Sequence, residues 1–136
     1  MKPKKIPVEI SSQIRKEKVD AALCFSFKFF DKSDPELCPA VFRENYTHTL
    51  MQRLKDLSSW TVKDFTGPCH KSVRNHPHDW AKTSRPKGFQ HLNEHLRVHQ
   101  GWQFQLSANE HGRVHGILID NIFYIIWLDQ DHKLYS

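Results

Sequence analysis

A regular alternation of apolar and polar residues near the end of the chain restricts the fold more than any other feature. Residues 102–107 alternate in this way, which is the period-two pattern of a half-buried strand. Two runs rich in β-branched and aromatic residues follow at 113–119 and 122–128, and only Asp120 and Asn121 separate them. Because Asp and Asn tolerate positive φ, this pair predicts a two-residue hairpin turn. The sequence therefore predicts a three-stranded antiparallel meander.

The predicted turn also decides which side chains share a face of the hairpin. It pairs His115 with Ile126 and places Arg113, His115 and Tyr124 on one face. We expect that face to be open to solvent or to a ligand. The other face carries residues that we expect to form the core: Val114, Leu118, Phe123, Ile125 and Trp127.

The rest of the chain predicts one further strand and three helices. Residues 22–30 alternate like a strand, and an apolar stripe predicts a helix over 39–57 with a proline in its first turn. Residues 61–64 resemble a capping box that opens a short second helix. Residues 89–99 predict a third helix, which ends before a glycine.

These elements predict a single α+β domain over 21–136, preceded by a basic arm over 1–20. The N-terminal strand and the C-terminal meander are expected to form a four-stranded, mainly antiparallel sheet with helices packed on one face. At 136 residues the chain is long enough for a hydrophobic core. Residues 67–88 contain three prolines and show no periodicity, so they predict a long loop inserted in the domain.

Positive charge is concentrated in two segments of the chain. Residues 1–19 hold six Lys or Arg against two Glu, and residues 67–88 hold five against one Asp. This pattern indicates a polyanionic partner, most often nucleic acid, although a solvated tail and a solvated loop would give it too. The predicted nucleic-acid-binding residues are Lys71, Arg74, His76, His78, Lys82, Arg85 and Lys87.

Composition also bounds the class of protein. Three scattered cysteines make no disulfide framework and favour a reduced, cytoplasmic setting. No run of residues approaches the roughly 20 apolar residues of a membrane helix, and no secretory signal is recognisable. There is no glycine-rich phosphate loop, so we expect neither nucleoside-triphosphate chemistry nor another cofactor.

The C-terminal part of the chain resembles a family of small bacterial toxins. Residues 112–115 read Gly-Arg-Val-His and precede an apolar hairpin, and residues 131–135 form a basic and aromatic cluster, Asp-His-Lys-Leu-Tyr. These features and the predicted order of elements resemble the RelE/ParE superfamily, whose RelE and YoeB branches cut messenger RNA. The resemblance implies a RelE-like fold, RNA or ribosome-bound messenger RNA as partner, and a protein antitoxin that neutralises the activity.

Metal-independent RNA cleavage needs a base, a cation and an acid around one phosphate. Histidine suits proton transfer near neutral pH, and the planar guanidinium of arginine suits phosphate. The predicted catalytic residues, with no metal among them, are Arg113, His115, Tyr124, His132 and Tyr135. Each also has an ordinary interpretation as a surface charge, a packed ring or part of a tail. The alternative function is therefore a non-catalytic module that binds nucleic acid or protein through the same surface.

Two other histidine-rich segments are alternative candidate sites. His91, Glu94 and His95 match an inverted zinc-peptidase pattern, which His99 extends, but ten histidines in the chain make chance matches frequent. Residues 76–80 read His-Pro-His-Asp-Trp and could bind phosphate and stack a base. The simpler interpretation is a loop that its tryptophan anchors on the core.

Overall fold

The computed structural model of the protein describes residues 18–68, 70, 72–107 and 111–135. Most of the predicted basic arm, together with Lys71 and Cys69, lies outside these residues. The elements, in chain order, are β1 (Cys24–Ser26), α1 (Tyr46–Leu57), α2 (Val62–Thr66), β2 (His76–Pro77), a 3₁₀ helix (Trp80–Lys82), α3 (Glu94–Arg97), β3 (Gly101–Gln105), β4 (Arg113–Ile119) and β5 (Ile122–Asp129).

One mixed sheet of five strands organises the described residues, in the order β1-β5-β4-β3-β2. The meander of β3, β4 and β5 is antiparallel as predicted, and the α+β class is confirmed. The prediction of four mainly antiparallel strands is wrong in two respects. Strand β1 runs parallel to β5, and β2 adds an edge strand beside β3. A parallel neighbour is possible because α1, α2 and the following loops return the chain to the meander.

The hairpin of β4 and β5 follows the predicted register only near its turn. Asp120 has a φ of 53°, and Ile117 pairs with Tyr124 as expected. A β-bulge between His115 and Gly116 then shifts the pairing, so that His115 lies opposite Trp127 and not opposite Ile126. The predicted pairing of His115 is therefore wrong, and Trp127 belongs to the face of His115.

One face of the sheet packs against α1 and α2. Helix α1 contributes Tyr46, Leu50 and Leu57 to this first core, and α2 contributes Val62 and Phe65. The sheet residues of the first core are Trp102, Phe104, Leu106, Val114, Leu118, Phe123, Ile125 and Leu128. Four of the five predicted core residues of the hairpin lie here, and Trp127 is the exception because of the bulge.

The other face of the sheet is covered too, which corrects the expectation that it is open. A second core joins Leu37, Ile117, Ile126 and Trp127 to the loops on this side. The covering residues are Phe89 and Leu92 from the long connection between α2 and β3 (residues 67–100) and Leu134 from the C-terminal tail (residues 130–135). His115 is consequently inaccessible to solvent, with a relative exposure of 0%. Residues at the end of the chain and in the segment predicted as the third helix thus complete the fold.

Helix α1 is shorter than predicted because the chain before it makes other hydrogen bonds. The backbone N–H of Arg43 donates to the side-chain oxygen of Gln130 at 2.9 Å, and the Gln130 amide donates to the carbonyl of Val41. Asn45 takes a left-handed conformation, with a φ of 67°, and the helix begins at Tyr46. None of the helices in the described parts of the chain is both long and apolar enough to cross a membrane.

Local hydrogen bonds also explain the bounds of α2, α3 and β1. The predicted capping box of α2 is present, with Thr61 and Asp64 each accepting from the backbone of the other. The N-cap of α3 is Asn93, so the helix begins later than predicted. Residues 89–92 form turns instead, and these turns bury Phe89. Strand β1 ends at Ser26, whose hydroxyl accepts from the backbone of Lys28.

The bulge predicts that Gly116 tolerates no side chain. A Cβ at this position would overlap the carbonyl oxygen of Tyr124 and lie 2.6 Å from the ring of Phe123. Both neighbours belong to the central hairpin, so relief requires movement of its backbone. We expect Gly116→Ala to lower the free energy of unfolding by about 2–3 kcal/mol or more. Urea denaturation measures this change.

The matched control is Gly67→Ala, at a site where φ is negative and the nearest atom to the added Cβ is 3.1 Å away. Its effect should stay within about 1 kcal/mol. Equal losses in the two variants would contradict the assignment of a steric requirement to Gly116.

Candidate functional site

A row of four hydrogen-bonded side chains runs from the interior of the second core to its surface. Asp129 Oδ2 lies 3.0 Å from His115 Nε2, and His115 Nδ1 lies 3.1 Å from His78 Nε2. His78 Nδ1 lies 2.8 Å from the hydroxyl of Tyr135. We call this row the relay. Asp129 and His115 have relative exposures of 0%, whereas Tyr135 is partly exposed.

The ionised carboxylate at the inner end gives the relay one consistent direction. A carboxylate only accepts hydrogen bonds, so His115 must donate from Nε2. In its neutral form His115 then accepts at Nδ1 from the Nε2–H of His78. His78 accepts in turn at Nδ1 from the hydroxyl of Tyr135. A proton leaving Tyr135 therefore has a continuous path towards Asp129.

The bulge and the C-terminal tail hold the inner end of the relay. Because β5 carries one extra residue, Asp129 pairs with Arg113 and shares the face of His115. Asp129 also accepts from the backbone N–H groups of Lys133 and Leu134, at 2.8 and 3.0 Å. These bonds turn the chain back after β5 and bring Tyr135 over the sheet.

The outer histidine is held by backbone pairing beside β3. The N–H of His78 donates to the carbonyl of Gly101 at 2.7 Å, which continues the pairing of β2 with β3. Its ring is close to two others, with centroid distances of 5.6 Å to Tyr135 and 4.5 Å to Trp80. The backbone N–H of Asp79 donates to the hydroxyl oxygen of Tyr135 at 3.2 Å. Two bonds therefore fix this hydroxyl.

Burial and hydrogen bonding keep the histidines neutral and Asp129 ionised. Burial lowers the pKa of His115 despite the nearby carboxylate. Burial, together with the electrostatic effect of His115, holds the pKa of His78 well below its ordinary value. Burial alone would raise the pKa of Asp129, but the bonds from His115, Lys133 and Leu134 bring it below its ordinary value. Burial raises the pKa of Tyr135, so its hydroxyl keeps its proton at neutral pH.

Cationic and titratable residues lie near both ends of the relay, Arg113 and His132 near Asp129 and His115, and His76 near Tyr135. Arg113 lies two residues before His115 on the same face, and its partly buried guanidinium has an Nε without a hydrogen-bond partner among the described residues. Burial and the positive charge of Arg113 both lower the pKa of His132, so these two side chains interact electrostatically. The ring of His76 lies 5.8 Å from that of Tyr135.

Of the five predicted catalytic residues, the structure brings four towards one region. His115 and Tyr135 belong to the relay, while Arg113 and His132 interact electrostatically with Asp129 and His115. Tyr124 lies apart, opposite Ile117 near the turn, and its ring packs 4.9 Å from that of Phe29. We therefore leave Tyr124 out of the candidate site.

The predicted nucleic-acid-binding residues divide into several groups. Arg74, Lys82 and Lys87 are exposed, and Lys82 forms a loose ion pair with Asp79. Arg85 is bound by the carboxylates of Asp34 and Glu36, which attach the connection to the loop before α1. His76 lies beside the relay and His78 within it, while Lys71 lies outside the described residues.

The zinc-peptidase pattern does not form on one helix. His91 precedes α3 and lies beside Asp31, at 3.6 Å, whereas Glu94 and His95 belong to α3. Within the described residues, no three His, Cys, Asp or Glu side chains are grouped to hold a metal ion. Trp80 contacts Phe89 and Trp127 of the second core, as the anchoring interpretation of its loop expects.

Sequence reasoning missed Asp129 and the relay role of His78. Asp129 follows an apolar strand and resembles the start of a turn in the sequence, and only the bulge places it on the face of His115. The sequence predicts His78 as a nucleic-acid-binding residue, yet its side chain is buried, with a relative exposure of 7%. The only sequence feature that indicates this role of His78 is the pair of histidines at 76 and 78, shortly before the predicted meander.

A scan against protein-family models and searches of curated proteins and of solved structures each find no match to this chain.

The lowered pKa values of His78 and His115 predict a stability that depends on pH. In the unfolded chain both titrate near their ordinary pKa of about 6.5, whereas in the folded chain they stay neutral at lower pH. As the pH falls below about 6.5, the unfolded state binds more protons, so the free energy of unfolding decreases. The expected slope is at most about 1.4 kcal/mol per pH unit for each histidine.

Chemical denaturation between about pH 7.5 and about pH 5.5 measures this slope, with His115→Gln as the test and the exposed His48→Gln as the control. The slope should be smaller in the first variant and unchanged in the second. A wild-type stability that is constant over this range would contradict the neutral relay.

Proposed function

We propose that the protein is a RelE-like, RNA-binding protein that cleaves RNA without a metal. The observation that carries this proposal is the relay, which connects the partly exposed hydroxyl of Tyr135 to a buried carboxylate that interacts electrostatically with Arg113 and His132. The proposed substrate lies across both ends of the relay, with proton transfer at Tyr135 and its phosphate at Arg113. The resemblance to RelE-type toxins in the C-terminal segment supports the same reaction.

The reaction is an internal displacement at phosphorus. A base takes the proton of the ribose 2′-hydroxyl, the 2′-oxygen forms a bond to phosphorus, and the bond from phosphorus to the 5′-oxygen breaks. An acid supplies a proton to the departing 5′-oxygen. The products are a 2′,3′-cyclic phosphate and a 5′-hydroxyl.

The direction of the relay suits Tyr135 to the role of base. Its hydroxyl donates to His78, so it would pass its own proton to His78 as it takes the proton of the 2′-hydroxyl. His78 would release its Nε2 proton to His115. The positive charge would then lie beside the Asp129 carboxylate, which stabilises it. His78, His115 and Asp129 are accordingly positioning residues that do not touch RNA.

Arg113 and a neighbouring histidine would complete the site. The guanidinium of Arg113 would stabilise the charge that develops on the phosphoryl oxygens. His132 is one of the predicted catalytic residues and would act as the acid. Because burial and the charge of Arg113 lower its pKa, its protonated fraction increases as the pH falls below neutral. His76 is a second candidate for the acid, because its ring lies close to that of Tyr135. Separate substitution of the two histidines distinguishes them.

The burial of His115 and Asp129 favours one other function. A row of hydrogen bonds that no substrate reaches also fixes the C-terminal tail, and it would do so in a protein without catalysis. The surface around Arg74 and Arg113 would then bind RNA or a protein partner such as an antitoxin.

The decisive experiment replaces Tyr135 by Phe, which removes the hydroxyl and keeps the ring beside His78. With a defined RNA in EDTA, alone and with ribosomes, the cleavage rate should fall by about 10²–10⁴. RNA affinity should not change, because proton transfer belongs to the transition state. The matched control is Tyr124→Phe, which should cleave at the rate of the wild type.

The substrate supplies a second check on the same reaction. Products should end in a 2′,3′-cyclic phosphate, and an RNA with hydrogen in place of the 2′-hydroxyl at the cleaved linkage should resist cutting. Cutting of that substrate would contradict the mechanism. If the wild type binds RNA but never cuts it, the binding module becomes the proposed function.

RNA binding is expected to depend on the exposed cations of the long connection. The double variant Arg74→Glu and Lys82→Glu should weaken binding and reduce its salt dependence, because fewer counterions are released. The control is Lys55→Glu with Lys63→Glu, which changes the same charge on the helices of the first core. If both double variants lose RNA affinity equally, the RNA is attracted by net charge alone and the long connection is not its binding surface.

A further inference from the structure

A pocket of about 430 Å³ is lined in part by Trp80 and Phe89 of the second core. Its size falls within the range of small-molecule sites. The residues of the pocket that matter here are Trp80, Lys87, Phe89, Glu94, Arg97 and His99. The pocket shares Trp80 with the ring stack of the relay and shares no hydrogen bond with it.

The walls of the pocket combine aromatic surface with two cations. Trp80 and Phe89 lie edge to face, with ring centroids 4.9 Å apart. Arg97 donates to the backbone carbonyl of Lys87 at 3.3 Å, which holds the guanidinium at the segment that carries Lys87. In the described parts of the chain neither cation forms an ion pair, so both are available to an anion. A flat, apolar group that carries a phosphate fits these walls.

Two further groups point to a ligand with hydrogen-bond donors. Glu94 is exposed at the pocket and, among the described residues, pairs with no cation, although Arg97 is only three residues away. The Nδ1 of His99 is buried and has no hydrogen-bond partner in the described structure. Burial lowers the pKa of His99, so its neutral ring offers an acceptor. A buried polar atom without a partner is unusual, so the Nδ1 of His99 calls for a hydrogen-bond donor. Glu94 adds an exposed acceptor at the same pocket.

We propose that this pocket binds a guanine nucleotide, and that it holds a guanine of the RNA strand next to the cleavage site. The second part rests on the proposed function. A carboxylate accepts hydrogen bonds and donates none, so Glu94 selects a base with adjacent donors. Guanine presents N1–H and its 2-amino group side by side, whereas adenine presents an acceptor at N1. Lys87 and Arg97 take the phosphate, and Trp80 with Phe89 borders the base.

The position of the pocket agrees with this role. Trp80 contacts His78, and His78 contacts Tyr135, so three neighbouring rings lead from the pocket to the outer end of the relay. A strand that places one base in the pocket would pass over this stack on its way to Tyr135. The pocket would therefore set which linkage meets the relay.

The test is a titration of the whole protein with 5′-GMP, 5′-AMP and 5′-UMP, followed by calorimetry. The wild type should bind GMP at least about ten-fold more tightly than AMP or UMP. Glu94→Gln should remove most of that preference, while Glu44→Gln, an exposed residue outside the pocket, should keep it. No preference for GMP, or a preference that survives Glu94→Gln, would overturn the proposal.

A second set of variants tests the phosphate contacts. Lys87→Gln with Arg97→Gln should bring the affinity for GMP down to that for guanosine, which carries no phosphate. If GMP and guanosine bind the wild type equally, the phosphate contacts are wrong and the proposal fails.

The cleavage assay separates this proposal from the proposed function. If the protein binds GMP as described but never cuts RNA, the nucleotide site is supported and the nuclease function is contradicted. If the protein cuts RNA through Tyr135 but shows no preference for GMP, the nuclease function is supported and the assignment of the pocket is contradicted.

Discussion

One extra residue in β5 determines how the second face of the sheet is built. Without the bulge opposite His115, both Trp127 and Asp129 would point towards α1 and α2. The bulge is supported from outside the hairpin. Asp31 donates its backbone N–H to the carbonyl of Ile126, and its carboxylate accepts from the indole of Trp127, each at 3.0 Å. The loop after β1 thus fixes a register that β4 and β5 do not fix by themselves.

A buried carboxylate follows from that register, and the surrounding structure has to satisfy it. Asp129 accepts from one imidazole and two backbone N–H groups, and these donors come from β4 and from the tail. Loss of one member would leave a buried charge or polar atom unpaired, which costs more than the bond itself contributes. The tail, the long connection and the sheet are therefore coupled through a few hydrogen bonds. This coupling explains why residues far apart in sequence meet at Tyr135.

The sequence predicts those parts of the fold that depend on local patterns. The turn at Asp120, the capping box at Thr61 and the strands of the meander all follow from residues close in sequence. The bulge depends on contacts with Asp31, and the covering of the second face depends on Leu134 and the turns near Phe89, so periodicity could not reveal either. The candidate site is predicted in part: the sequence names His115 and Tyr135 as catalytic residues, assigns His78 to nucleic-acid binding and does not name Asp129.

The two edges of the described sheet have a consequence for how another protein can approach it. Strand β1 has three residues and β2 has two, one of which is Pro77 and has no N–H to donate. Edge strands this short offer few free backbone groups to an incoming strand. A partner protein would therefore gain little by extending the sheet, and its affinity would have to come from side chains on the loops and faces. Recognition of that kind depends on individual contacts, so single substitutions on the partner could abolish it.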